Sequence, residues 1–225
     1  MKKLIITASV FLSGIFLQAQ QIDLARNAQF TKSMDEINNG PKKIKYSDIQ
    51  GTPYYYPNFI PAKLGDTSGT IPIRYSPFLD SVEILDNKTG NVYVIPEEEA
   101  YPKFTFETTK EKLVLVNTNN EYSGYFFEVV GGKNRLLKKV ITKFKDETPP
   151  PNTLVPGIPA KFEVQKPIYF IKSDEGVVKV SKKADDLFNA LPADKKDAAK
   201  DFVKSNKIKL NEELDLVKLV TFLNK

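Results

Sequence analysis

Three charged residues and three tyrosines are the groups in this sequence whose types and spacing invite a chemical reading. Arg74, Asp80 and Glu83 lie in the run IPIRYSPFLDSVEI, from Ile71 to Ile84, beside Tyr75, with Tyr54 and Tyr56 shortly before it. Two carboxylates near a cation suggest glycoside hydrolysis, which needs two carboxyl groups roughly 5 to 9.5 Å apart across a sugar. The spacing argues against it. Asp80 and Glu83 are three apart, so in an extended chain they point to opposite faces, and only a bulge or bend brings them together. An ion pair between Arg74 and Asp80 that holds a turn suits charges at such a joint better. The tyrosines allow either a stacking platform for carbohydrate or peptide, or a rim with hydroxyls in water. In an extended chain Tyr54 and Tyr56 face one side and Tyr55 the other. The binding candidates are therefore Tyr54, Tyr56, Arg74, Tyr75, Asp80 and Glu83, with no catalytic set and no metal ligands among them.

What the chain lacks narrows the chemistry further. It has 225 residues with no histidine and no cysteine. Ser-His-Asp and Cys-His nucleophile systems and an imidazole general base are excluded. So are zinc, copper and haem sites of the usual kinds. Carboxylate, lysine, tyrosine or serine chemistry remains, with oxygen-only calcium or magnesium sites, and no cofactor is expected. Net charge is +5, which falls to +3 when Lys2 and Lys3 are set aside. A nucleic-acid partner needs a clustered basic footprint, and these charges alternate in sign.

The elements that must position the candidates follow from pattern. Lys2 and Lys3, an uncharged apolar stretch from Leu4 to Leu17 and the polar Gln18-Ala19-Gln20-Gln21 form a secretory signal over 1–19, cut after Ala19. The apolar core falls short of the roughly 20 residues that span a bilayer, so no transmembrane segment is expected after cleavage. Without cysteine there is neither a lipid anchor nor a disulfide. A weakly structured lead-in covers 20–50, with a first edge strand suggested from Ile44 to Ile49. An antiparallel β body covers 51–146. Pro53 and Pro57 bracket Tyr54-Tyr55-Tyr56 and place them on an edge or loop. Ile71, Ile73 and Tyr75 alternate, as do Val82 and Ile84, and Asp86 to Gly90 is a hairpin turn rather than a calcium loop. Phe104 and Phe106 give a half-buried strand, Lys112 to Val116 a central one, and Tyr122 to Val130 another. Leu136 to Lys145 reads as one returning strand with its lysines, Lys139 included, on a solvent face or an edge protected against strand addition. A proline-rich strap and a final hairpin cover 147–180. Helical periodicity covers 181–225: Ser181 as a cap, Leu187, Phe188 and Leu191 on one face, and Asn211 capping a last helix apolar nearly all round. Such a helix is expected to bury itself. The fold class is mainly β, an antiparallel meander, barrel or sandwich, with a small C-terminal helical unit.

Gly51-Thr52-Pro53-Tyr54, Arg74-Tyr75 to Asp80 and Glu83, Gly124-Tyr125-Phe126 and Leu136-Leu137-Lys138-Lys139 together resemble a group of exported Bacteroidota proteins. That group has a signal ending in Ala-Gln, an arginine strand of the form R-Y-N-x-Y-x-D-E-x-E and a similar helical tail. Here Ser76 and Phe78 stand for the usual Asn and Tyr, and Ser81 for an acid. The resemblance implies export and fold, and no particular activity.

The expectation for function is an exported, non-catalytic cell-envelope protein. It would sit in the periplasm, at the outer membrane or outside the cell, as a binding or accessory subunit with a protein partner. A β-barrel carrier of a small apolar ligand is the alternative, favoured if Phe104, Phe106, Tyr125 and Phe127 line an open cavity. A carboxylate-based hydrolase is the weaker alternative.

Overall fold

A computed structural model describes residues 49–97, 103–152, 154–181, 184–189, 191 and 193–225. The expected signal, nearly all of the expected lead-in and its edge strand, and Glu98 and Glu99 lie outside these. The chain divides into two compact units, 1–51 with 145–161, and 52–144 with 162–225.

In the first unit the proline-rich crossing folds back on itself. Thr148 and Ile158 exchange two backbone hydrogen bonds of 2.8 and 2.9 Å, and the Asn152 carboxamide accepts from the Leu154 and Val155 amides. A Cβ at Gly157 would fall 2.8 Å from the Thr148 carbonyl, so only glycine allows this approach. The sequence reading of a strap becomes a pinned loop.

The second unit is built on an antiparallel sheet of ten strands. They are β1 (Ile60–Leu64), β2 (Thr70–Ser76), β3 (Ser81–Leu85), β4 (Val92–Val94), β5 (Lys103–Phe106), β6 (Lys112–Val116), β7 (Gly124–Val130), β8 (Arg135–Lys139), β11 (Ile168–Ser173) and β12 (Gly176–Lys179). Their order is β12-β11-β8-β7-β6-β5-β1-β2-β3-β4. The meander pairs each strand mainly with its neighbour in sequence, as hairpin-connected strands do. β9 (Thr142–Lys145) and β10 (Lys161–Val164) form a separate two-stranded sheet.

The sheet is rolled. Tyr75 on β2 has its ring 6.0 Å from Tyr125 and 5.9 Å from Phe127, both on β7, although β1, β5 and β6 separate those strands within the sheet. The alternating apolar residues of β1, β2, β3, β5, β6 and β7 therefore share one interior. Phe104 meets Tyr125 at 6.2 Å, Phe106 meets Phe127 at 6.4 Å, and Tyr55 reaches in to Phe127 at 4.4 Å. Phe104, Phe106, Tyr125 and Phe127 are buried together in this cluster.

Helices α1 (Ala184–Asn189), α2 (Ala193–Ser205) and α3 (Glu213–Leu223) cover the far part of the sheet. Leu187, Phe188, Leu191, Leu216, Leu219, Val220 and Leu223 bury with Leu136 of β8 and Ile171 of β11. Two asparagines lock the end of α3 to the β7–β8 hairpin. The Asn224 carboxamide accepts from the Asn134 amide at 2.8 Å and donates to the Asn134 and Gly131 carbonyls, while the Asn134 side chain donates to the Leu223 carbonyl. The tail is thus buried on its own body.

Two local readings need correction. The run Leu136 to Lys145 is not one strand: β8 stays in the large sheet, and the chain bends so that β9 joins β10. The Thr142 amide bonds the Pro77 carbonyl and the Gln165 amide bonds the Ile141 carbonyl at the bend. The final hairpin forms as expected, β11 with β12, and joins the large sheet where β11 pairs with β8 over five residues. Asn211 does not cap α3. Glu212 holds that position without a side-chain cap bond, and Asn211 instead donates to the Glu212 carboxylate.

Candidate functional site

The six candidates separate into three places. Strand pairing decides the first. A four-residue turn, Pro77 to Asp80, sets Ser76 opposite Ser81 and therefore Arg74 opposite Glu83. Arg74 donates through Nε at 3.1 Å and Nη2 at 2.6 Å to Glu83 Oε2, and through Nη2 at 3.0 Å to the Tyr54 hydroxyl. That hydroxyl donates to Glu83 Oε1 at 3.2 Å, closing a ring of three side chains. The guanidinium also lies 3.6 Å from the centre of the Tyr54 ring and 4.4 Å from that of Phe59. A planar cation stacked on aromatics and paired with a carboxylate is fixed in place. The expected ion pair between Arg74 and Asp80 does not form, because cross-strand register gives the arginine to Glu83.

Asp80 goes elsewhere. It ends the turn with φ +54°, a left-handed conformation that aspartate tolerates better than most residues. Its carboxylate enters the end of the roll, where Oδ1 accepts the Tyr75 hydroxyl at 2.7 Å and Oδ2 the Lys139 ammonium at 2.6 Å. The Tyr125 amide donates to both oxygens at 3.3 Å, and Lys139 also donates to the Tyr125 carbonyl at 3.0 Å. Only 14% of the Asp80 side chain and 7% of the Lys139 side chain are exposed. The lysine assigned by alternation to a solvent face is the buried counter-ion. No local signal marks it, since Asp80 lies in the β2–β3 turn and Lys139 on β8, 59 residues away.

Gly124 makes the room. It has φ +131°, and a Cβ there would come 1.9 Å from Asp80 Oδ2. This glycine, which opens β7, is a site residue that sequence reasoning missed, although the Gly-Tyr-Phe run was visible. Burial first, then the Asp80 charge and hydrogen bond, push the Tyr75 phenol well above its ordinary range. Burial, then the charges of Glu97 and Asp80, also push Tyr125 up. Unlike that of Tyr75, the Tyr125 hydroxyl is buried with no hydrogen-bond partner.

Tyr56 belongs to the third place. The bends around Pro53 and Pro57 turn Tyr55 and Tyr56 to the same side, away from Tyr54, so the extended-chain pairing of Tyr54 with Tyr56 does not hold. Their hydroxyls donate to the two oxygens of Glu111 at 3.1 and 2.5 Å, and Thr109 adds a bond of 2.9 Å. Beside them is a cleft of about 260 Å³ whose lining includes Glu111, Lys112, Phe127, Glu128, Lys138 and Glu213. Its charges answer one another. Lys138 pairs with Glu213 at 3.1 Å, and Glu128 pairs with Arg135 and, at 3.7 Å, with Lys112.

Asp80 and Glu83 therefore do not face one substrate, and each carboxylate is neutralised by its own cation. Among the described residues no group of acidic side chains is placed to hold a metal ion, and no helix is long and apolar enough to cross a membrane. No protein-family model matches this chain, and neither a curated protein nor a solved structure does.

Proposed function

We propose that this chain is an exported, non-catalytic protein of the cell envelope that binds a protein partner as an accessory subunit of an outer-membrane-associated assembly. Export rests on the sequence pattern of the first 19 residues. The observation that carries partner binding is the edge strand β4. Val92, Tyr93 and Val94 are 48, 54 and 59% exposed, three large apolar residues in a row at the end of the sheet. Scattered apolar exposure is ordinary, whereas an uninterrupted apolar edge strand is an invitation to pair. The charged groups first open to a catalytic reading are consumed in holding the roll, whereas this edge strand keeps three consecutive apolar side chains in solvent.

Crosslinking in intact envelopes followed by affinity capture tests the proposal. A defined protein should be recovered in stable proportion. A chain that leaves mild detergent alone, without crosslinked partner, sinks it. Hydrolase screening against a Glu83→Gln control addresses the enzymatic alternative, since activity abolished by that change would reinstate catalysis.

A further inference from the structure

Lys139 and Asp80 bring a primary amine and a carboxyl group into contact at a place that water hardly reaches. Lys139 Nζ lies 2.6 Å from Asp80 Oδ2, so the carboxyl carbon is one bond further on. Aromatic residues surround the pair. The ammonium lies 4.7 Å over the Phe126 ring, and Tyr75, Tyr125 and Phe126 are all buried. Both reacting groups are held. Gly124 leaves the space in which the carboxylate sits, and Lys139 donates to the Tyr125 carbonyl at 3.0 Å.

An ion pair needs only its two charges, and this junction has more. Oδ1, the other carboxylate oxygen, accepts the Tyr75 hydroxyl at 2.7 Å and the Tyr125 amide at 3.3 Å. A hydroxyl and a backbone N–H converging on one carboxyl oxygen are the donors that stabilise an oxyanion on a tetrahedral carbon. Tyr75 keeps its proton for that task, since burial and the Asp80 charge push its phenol well above the ordinary range.

We infer that Lys139 and Asp80 condense to an amide after folding, giving the mature chain a covalent bond between the β2–β3 turn and β8. The ion pair is the reactant. Lys139 passes one proton to Oδ2, leaving a neutral amine and a carboxylic acid, the uncharged forms that burial favours. The Nζ lone pair then attacks Cγ, and the carbonyl electron pair moves onto Oδ1, where Tyr75 and the Tyr125 amide receive it. The nitrogen gives a second proton to the Oδ2 hydroxyl, the Cγ–Oδ2 bond breaks, and water leaves. The double bond to Oδ1 forms again. One ammonium and one carboxylate have become one amide and one water, with nothing oxidised or reduced.

Proximity and dryness favour this outcome. Groups held in contact act at effective concentrations of about 10⁵ M or more, and a closed site keeps water from returning to the bond. The crosslink would also supply what the sequence lacks. With no cysteine there is no disulfide, whereas an amide here joins residues 59 apart and restricts the unfolded chain in the same way. It needs no partner and stands apart from the partner-binding reading.

Mass spectrometry of the full chain, purified folded and then denatured and digested, tests the inference. The parent should be one water lighter than its sequence and should yield a branched peptide that joins the Asp80 and Lys139 segments. Lys139→Arg keeps a cation beside Asp80 without the amine, and it should show full mass and no branched peptide. In chain dissolved from inclusion bodies in urea and refolded by dilution, the branched peptide should accumulate with time. Tyr75→Phe should slow that accumulation by about tenfold or more. A parent at full mass with the two peptides separate overturns the inference and leaves the junction an ion pair. A loss of water that persists in Lys139→Arg overturns it too, because the bond would lie elsewhere. An equal rate in Tyr75→Phe also counts against it, since Oδ1 would then need no donor.

Discussion

The two ends of β3 invert the usual arrangement of a protein. At its start Asp80 carries a charge inward, into a junction with Lys139, Tyr75 and the Tyr125 backbone. At its end the chain turns into β4 and carries Val92, Tyr93 and Val94 outward. Buried charge is costly unless fully paired and hydrogen-bonded, and exposed contiguous apolar surface is costly unless covered. The first cost is met within the molecule: four hydrogen bonds reach the Asp80 carboxylate from three residues. The second is not met by any described residue. Internal charge here builds the fold, and the external apolar surface is where the proposed partner would gain. That is the opposite of a first reading of the sequence, in which the charges attract attention and the hairpin does not.

The sharpest way to break the inward end is to fill the space beneath it. Gly124→Ala sets a Cβ where Asp80 Oδ2 sits, at a φ of +131° that alanine resists. Loss of about 4 kcal/mol or more, or failure to fold, is expected in urea denaturation. A stability near that of the parent would show that the junction is loose.

Lys139→Met comes next. It leaves the Asp80 carboxylate buried without its cation, a class of change that costs about 3–5 kcal/mol. Adding Asp80→Asn should recover part of that loss, and a double-mutant cycle over the pair should show strong coupling. Additive effects would mean that the two charges do not stabilise each other.

Raising the pH probes the same junction without mutation. Tyr75 and Tyr125 have phenol pKa values raised above the unfolded value of about 10. Above that pH the unfolded chain loses these protons while the native protein keeps them, so the native state binds more protons and stability must fall. Their contribution is complete below about pH 10 and declines by about 1.4 kcal/mol per pH unit for each group as pH rises toward the native values. Urea midpoints measured from pH 9 to pH 11, beside tyrosinate absorbance, read it directly. A midpoint that does not move while absorbance shows both phenols protonated would contradict the sign.

The two phenols also differ from each other. Tyr75→Phe removes the hydrogen bond to Asp80 and should cost about 1–2 kcal/mol, whereas Tyr125→Phe removes a hydroxyl with no partner and should be neutral or stabilising. Thermal melts of the two single variants check the contrast, and equal losses would refute it.

Much of the fold was legible because it follows from short-range rules. Alternation at Ile71, Ile73 and Tyr75, the turn at Asp86 to Gly90 and the helical spacing of Leu187, Phe188 and Leu191 each depend on neighbours in sequence. The pairing of Arg74 with Glu83 was also within reach, since counting outward from the turn at 77–80 sets them opposite. Lys139 was not. It looks like any outward lysine in a β strand, and what draws it inward is a carboxylate 59 residues away. The same holds for Glu111, which joins Tyr55 and Tyr56 only because the prolines bend the loop over the roll. Long-range partners leave no periodic trace.

The contrast between the ends of β3 comes to a single paired measurement, crosslinking in intact envelopes of Arg74→Ala and Val94→Lys, each with its melting curve. Arg74, with 21% of its side chain exposed and two aromatic rings around it, should lose about 1–3 kcal/mol of stability on truncation while the folded fraction keeps the crosslinked partner. Val94→Lys should keep the parent's melting temperature and lose binding. The reverse pattern, an unchanged melt with lost binding in Arg74→Ala and retained binding in Val94→Lys, would place the working surface at the charges and contradict the assignment.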